Sequence, residues 1–229
     1  MHKSLSVFVL LLAGSLYASS QQLSQVTFAN ASTLSSFSFT TDQSILLRVS
    51  EDGSLKEYGT ELASERATNY YSPKLQPYMG RIDYFGSEAD TSFKGKIKSI
   101  GTCYFTYYNA SEVEEKRGKL KTIGRLTLDY YTRFDNPAFK GKLKSAGSYN
   151  FDYYSISEND AVKGKLKTVG ITRIAYNSSF DDKMIQGKVK SIGSVAYNWG
   201  KSTDAQGYGG ALKSGSYRQN VDGITYILR

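Results

Sequence analysis

The sequence predicts an all-β protein: a largely antiparallel sheet built from about eight tandem glycine- and tyrosine-rich units of 23 residues, with one apolar and one lysine-rich face. Three observations predict it. A Gly-Lys-aliphatic-Lys-Ser/Thr-x-Gly frame returns at a constant step of 23 residues. Within a unit the apolar residues recur with period two, the spacing of a half-buried strand. The composition, with 19 Tyr and 21 Gly against three Pro in 229 residues, favours strands and tight turns over helices.

The first twenty residues are set apart from the fold. Met1-His2-Lys3 gives a short basic start, Val7 to Ala13 an apolar run, and Ala18-Ser19-Ser20 small residues before Gln21. This is the pattern of a secretory signal peptide over 1–20, and the apolar run is shorter than the roughly 20 residues of a membrane span. Cleavage would remove His2, the single histidine, and leave one cysteine, Cys103. A mature chain without histidine lacks the side chains for Ser-His-Asp or Cys-His catalysis and for His/Cys zinc sites. One cysteine forms no internal disulfide, so Cys103, in the strand-like Thr102-Cys103-Tyr104-Phe105, reads as a small buried apolar residue.

Residues 21–52 carry strand-like runs (Val26-Thr27-Phe28, Phe37-Ser38-Phe39, Ile45-Leu46-Leu47) and read as an N-terminal β cap over the first edge of the array. Residues 53–229 form the repeat domain, regular from 95 to 209. The first glycine of the frame falls at 95, 118, 141, 164 and 187; worn copies follow at 210 and precede at 80 and 53. Each regular unit continues into an aromatic half, such as Tyr149-Asn150-Phe151-Asp152-Tyr153-Tyr154, and then a polar loop. The second glycine of the frame allows two readings. It opens a two-residue turn, making each unit a hairpin, or it lies within one long strand. From Phe139 onward the alternation puts Phe139, Leu143, Tyr149, Phe151 and Tyr153 on one face. It puts Lys140, Lys142, Lys144 and Ala146 on the other. A lone unit has too few apolar side chains to offset the entropy of ordering 23 residues, about 1–2 kcal/mol each. Stability should then be close to additive between neighbouring units.

The Gly-Lys-Leu half followed by Tyr-x-Phe-Asp, best seen in Gly141-Lys142-Leu143 with Tyr149-Asn150-Phe151-Asp152, resembles the tyrosine-rich YD (RHS-type) repeat over about residues 80–228. The resemblance implies β-repeat architecture and a secreted or surface setting. It transfers no activity, since the long arrays and appended toxin or adhesion domains of that family have no counterpart in these motifs.

Charge is unevenly placed. Residues 21–93 carry net −4 and residues 94–229 net +11, so the basic character belongs to the repeats. The candidate constellation is Lys96, Lys98, Lys119, Lys121, Lys142, Lys144, Lys165, Lys167, Lys188 and Lys190, projecting on the polar face. Such a field fits a polyanion, for instance an acidic glycan, lipopolysaccharide or nucleic acid. It also fits a solvated face that keeps the sheet soluble, with Asp129 and Asp152 as local partners. Tyr108, Tyr131 and Tyr154 read as outward rings for sugar or base stacking, or as packing over lysine stems. The carboxylate pairs Glu114-Glu115 and Asp181-Asp182 lie in loops, and no phosphate-binding loop or calcium-loop spacing occurs. The expectation is a secreted or cell-envelope, non-enzymatic interaction or structural module without cofactor. The alternatives are an anionic-polymer binder and a small outer-membrane barrel with lysines lining its lumen. Asn30, Asn109 and Asn177 begin glycosylation sequons.

Overall fold

A computed structural model describes residues 21–61 and 74–229. The segment assigned to the signal peptide lies outside the described residues. The chain is all-β. Five strands come first: β1 (Gln22–Ala29), β2 (Thr33–Thr40), β3 (Leu46–Val49), β4 (Leu55–Glu61) and the short β5 (Leu75–Gln76). The repeats follow as β6 (Ile82–Tyr84), β7 (Ile97–Ile100), β8 (Cys103–Tyr107), β9 (Leu120–Ile123), β10 (Leu126–Tyr130) and β11 (Leu143–Ala146). They continue as β12 (Tyr149–Tyr153), β13 (Leu166–Val169), β14 (Thr172–Tyr176), β15 (Val189–Ile192) and β16 (Val195–Ala196). The chain closes with β17 (Asn198–Trp199), β18 (Leu212–Ser214), β19 (Arg218–Val221) and β20 (Ile224–Leu228).

The repeats form an eleven-stranded antiparallel meander, β6 to β16 in sequence order, with β17 and β18 paired beyond it. Each regular unit is a hairpin. Ile123 pairs with Leu126 and Thr122 with Thr127 across a two-residue turn. Glycine opens that turn at 101, 124, 147, 170 and 193 with φ of 55–58°. A β-carbon is strongly disfavoured there, which is why the frame keeps glycine at this point. The hairpin answers the choice that the sequence left open.

The strict alternation expected along each unit is interrupted by a bulge. Asp129 pairs with Ser145 but Tyr130 pairs with Leu143, so Lys144 is the extra residue. The same shift recurs at Lys98, Lys121, Lys167 and Lys190. An extra residue flips the face of everything beyond it. Leu143 and Ala146, three apart, therefore both point inward, and Ala146 is buried rather than on the lysine face.

The apolar face of the meander is covered by a second sheet, in the order β19-β20-β1-β2-β3-β4-β5. All its pairs are antiparallel except β1 with β20. Residues 21–52 thus lie over the face of the array rather than its first edge, and the C-terminal strand β20 joins them. Phe37 and Phe151 meet across the two layers with ring centroids 4.5 Å apart. Leu23, Val26, Phe28, Phe39, Leu47 and Val49 join the buried side chains of the repeats in one core. An apolar sheet face of this size has to be excluded from water, and the N-terminal strands are the apolar surface available to do so.

The covering strands cross the array at a slant. Gln21, before β1, accepts from the Arg125 amide at 3.0 Å, whereas Ala31, after β1, accepts from the Val189 amide at 2.7 Å. Gln43 likewise meets Thr102 at 3.2 Å, and Glu51 meets the Leu143 amide at 2.8 Å. Two stacked open sheets with separate edges are a sandwich, so these strands do not form the closed barrel considered above.

Candidate functional site

The lysines of the frame form two rows with different surroundings. In the first row Lys96, Lys119 and Lys142 each donate to the carbonyl of the first glycine of the next unit, Gly118, Gly141 and Gly164. Lys165 does the same to Gly187 at 2.6 Å. Each ammonium also sits over an aromatic ring of its own unit: Tyr107, Tyr130, Tyr153, Tyr176 and, for Lys188, Trp199, at 4.8–5.3 Å from the centroid. The acceptor glycines have φ of 67–77°, a conformation in which glycine is unstrained.

The second row stands on the bulges. Lys121, Lys144 and Lys167 lie over the rings of Tyr108, Tyr131 and Tyr154, 5.1–5.4 Å from the centroids. Lys98 lies over Phe85 at 6.0 Å. Lys144 and Lys167 further pair with Asp135 and Glu158 in the adjoining loop, at 3.3 and 3.4 Å. Lys98, Lys121 and Lys190 are exposed and make no ion pair among the described residues. Asp129, expected as a local partner, pairs with Lys116, while Asp152 bonds the amide of Tyr153 at 2.9 Å.

The tyrosines form ladders of their own. Tyr107, Tyr130, Tyr153 and Tyr176 donate their hydroxyls to Ile97, Leu120, Leu143 and Leu166, the carbonyls beside each bulge, at 2.8–2.9 Å. Trp199 takes the same place with its ring N–H on Val189 at 2.6 Å. Tyr108, Tyr131 and Tyr154 reach the next unit, donating to Leu128, Phe151 and Ile174 at 2.9 Å. Tyr108 and Tyr154 are buried, and all three rings are clamped between a lysine and the neighbouring unit, so they do not present free outward faces. Period-two reasoning placed one ring of each pair outside; the chain leaves the strand after the first tyrosine and turns the second one in. The donor role of Tyr107, Tyr130, Tyr153 and Tyr176 was missed, although their fixed spacing of 23 was visible.

No known family model, curated protein or solved structure matches the chain.

The loop carboxylates serve the turns. Asp181 accepts from the Ser178 amide at 2.6 Å, and Asp182 from the Met184 amide at 2.9 Å and from Ser202. Glu115 is enclosed and faces Lys140 at 3.5 Å. Cys103 is buried, and that burial pushes its thiol up to about 11. Asn177 is buried and donates to the Lys188 carbonyl at 3.2 Å, whereas Asn30 and Asn109 are exposed.

The covering sheet supplies a further partner to some first-row lysines. Lys142 meets Glu51 at 2.9 Å, Lys165 meets the Ser32 hydroxyl at 2.6 Å, and Lys188 meets the Asn30 carbonyl at 3.4 Å. Burial raises the Glu51 pKa despite the opposing attraction of Lys142. Replacing Lys142 with methionine removes its bonds to Gly164 and Glu51 together, and is expected to cost about 2 kcal/mol in a urea titration. Lys144→Met, which breaks a more exposed pair, should cost less than about 1 kcal/mol. Equal losses would show that the first row has no special structural role.

Proposed function

We propose that the chain is a secreted or cell-envelope, non-enzymatic β-repeat protein that acts as a surface interaction or structural module. The observation that carries this reading is the use of the repeated polar side chains. Lysine and tyrosine of each unit hydrogen-bond the backbone of the next, which builds a stiff sheet rather than a reaction centre. The connecting loops, at the rim opposite the glycine turns, carry exposed Phe134, Ile156 and Phe180 in three consecutive units. Apolar side chains recurring once in each of these units suit contact with an extended partner. The YD-like motif agrees with a surface setting.

The test is to produce the full chain in its host and fractionate the cells. Export should yield a chain beginning at Gln21 outside the cytoplasm. The joint substitution Phe134→Ser and Phe180→Ser should release it from the envelope fraction without moving its urea midpoint. An uncleaved cytoplasmic chain, or substrate turnover abolished by one Asp or Glu substitution, would overturn the proposal.

A second reading, binding of anionic polymers, is favoured by Lys98, Lys121 and Lys190, which are exposed without an ion-pair partner among the described residues. Such binding would weaken steeply with salt.

A further inference from the structure

The slant of the covering sheet leaves the first two regular units without the partner that the later ones receive. Glu51, Ser32 and Asn30 attend Lys142, Lys165 and Lys188. Lys96 and Lys119, at the same place in their own units, make no hydrogen bond or ion pair to the covering sheet among the described residues, although the Asp52 carboxylate is near enough to attract Lys119. They line a cleft of about 460 Å³ between the β3–β4 turn, the start of β4 and the first two units. That volume lies within the usual range of small-ligand sites.

We propose that this cleft binds an acidic saccharide, with its carboxylate or sulfate held by Lys56, Lys96, Arg117 and Lys119 and its ring against Tyr58. Three features of the cleft carry this. Its lining holds four cationic side chains, two of them on the lysine row where the other members each have an oxygen from the opposite sheet. An anionic oxygen entering here would take the position that Glu51 takes toward Lys142. The wall also carries the half-buried ring of Tyr58, an apolar surface on which a sugar ring packs, whereas the Tyr107 ring behind it is covered by Lys96 and stacked on Phe93. Finally, one carboxylate stands among the cations. Asp52 Oδ1 is held by the Ser50 hydroxyl at 2.5 Å and the Ser54 amide at 3.0 Å. A fixed carboxylate repels a densely charged polymer but accepts from a neutral hydroxyl, which favours a short ligand with few anionic groups and several hydroxyls. The inference goes beyond the interaction-module reading and does not depend on it. It also differs from a diffuse lysine field, because Lys56 and Arg117 lie outside the ladder and Lys98 and Lys190 are not in the cleft.

The test is titration calorimetry on the protein from Gln21 onward, with digalacturonate, its neutral methyl ester, a sulfated disaccharide and inorganic phosphate as probes. Saturable binding of digalacturonate or the sulfated disaccharide is expected, with the methyl ester weaker by about tenfold or more. Lys56→Gln with Arg117→Gln should also weaken binding about tenfold; both side chains are exposed, so the urea midpoint should stay in place. Lys98→Gln with Lys190→Gln should change it by less than about twofold. Absence of saturable binding by both acidic saccharides would overturn the assignment. So would inorganic phosphate binding as tightly as the saccharide, or an equal loss in the Lys98 and Lys190 variant.

Discussion

Above pH 10 the protein is expected to unfold cooperatively, with the tyrosine ladders as the cause. Burial raises the pKa of Tyr130, Tyr153 and Tyr176 well above the ordinary value near 10, and nearby acidic groups and other tyrosines add to it. Tyr108 and Tyr131 are pushed up to about 12, first by burial and then by Asp129 and Asp152. The neutral hydroxyl is the donor to a backbone carbonyl in each case, and a phenolate cannot donate. The unfolded chain gives up these protons near pH 10 while the folded chain keeps them. The stabilisation is therefore complete below pH 10 and falls as the pH climbs from there toward the folded-state values. Each retained proton contributes about 1.4 kcal/mol per pH unit, so the three most buried rings alone give about 4 kcal/mol per unit. The lysines act in the other direction at lower pH. Burial moves Lys165 down to about 8 and lowers Lys96, Lys119 and Lys188. A folded chain that sheds these protons before the unfolded one gains stability between roughly pH 8 and the ordinary lysine value near 10.4. A maximum near pH 9–10, then a steep fall, is the expected profile. Urea midpoints against pH, together with phenolate absorbance, measure it. Tyrosines that all ionise near pH 10 while the fold persists would contradict it.

Phe151→Ala is expected to cost about 3–5 kcal/mol, the range for truncating a fully buried aromatic side chain. Phe151 is 1% exposed and Phe37 of the covering sheet rests on it at 4.5 Å. The loss should appear in a single transition sensed by both sheets. Strict nearest-neighbour additivity, expected of a bare array, is replaced by coupling through the second layer, because units far apart share the same covering strands. Phe134→Ala, at an 83% exposed loop position, should stay within about 0.5 kcal/mol of the parent. Two separated transitions in the Phe151 variant would mean that the sheets fold independently.

The fold class was legible because repetition multiplies a weak signal. One Gly-Lys-Leu-Lys-Ser segment says little, whereas five at a constant spacing exclude most alternatives. The bulge was not legible. Nothing in Leu143-Lys144-Ser145-Ala146 marks Lys144 as an extra residue until the partner strand sets the register. The error in placing Ala146 came from carrying period two through that point, and the error at Tyr154 from carrying it past the end of β12. The lysines were recognised as the distinctive side chains, but their division into a row that bonds the next unit and a row over the bulge depends on where the backbone turns. The cleft was hidden for a different reason: Lys56 and Tyr58 are far in sequence from Arg117 and Lys119, and only the slant of the covering sheet brings them together.

By itself the sequence determined that the chain is built of sheet, that it repeats, and that its charge lies in the repeats. These are local properties, set by side-chain period, glycine turns and composition. The tertiary structure alone decided which lysines are occupied by neighbouring units and which face an opening. That outcome depends on how one sheet lies across the other, and a repeat with equivalent units carries no instruction about which of them will be covered.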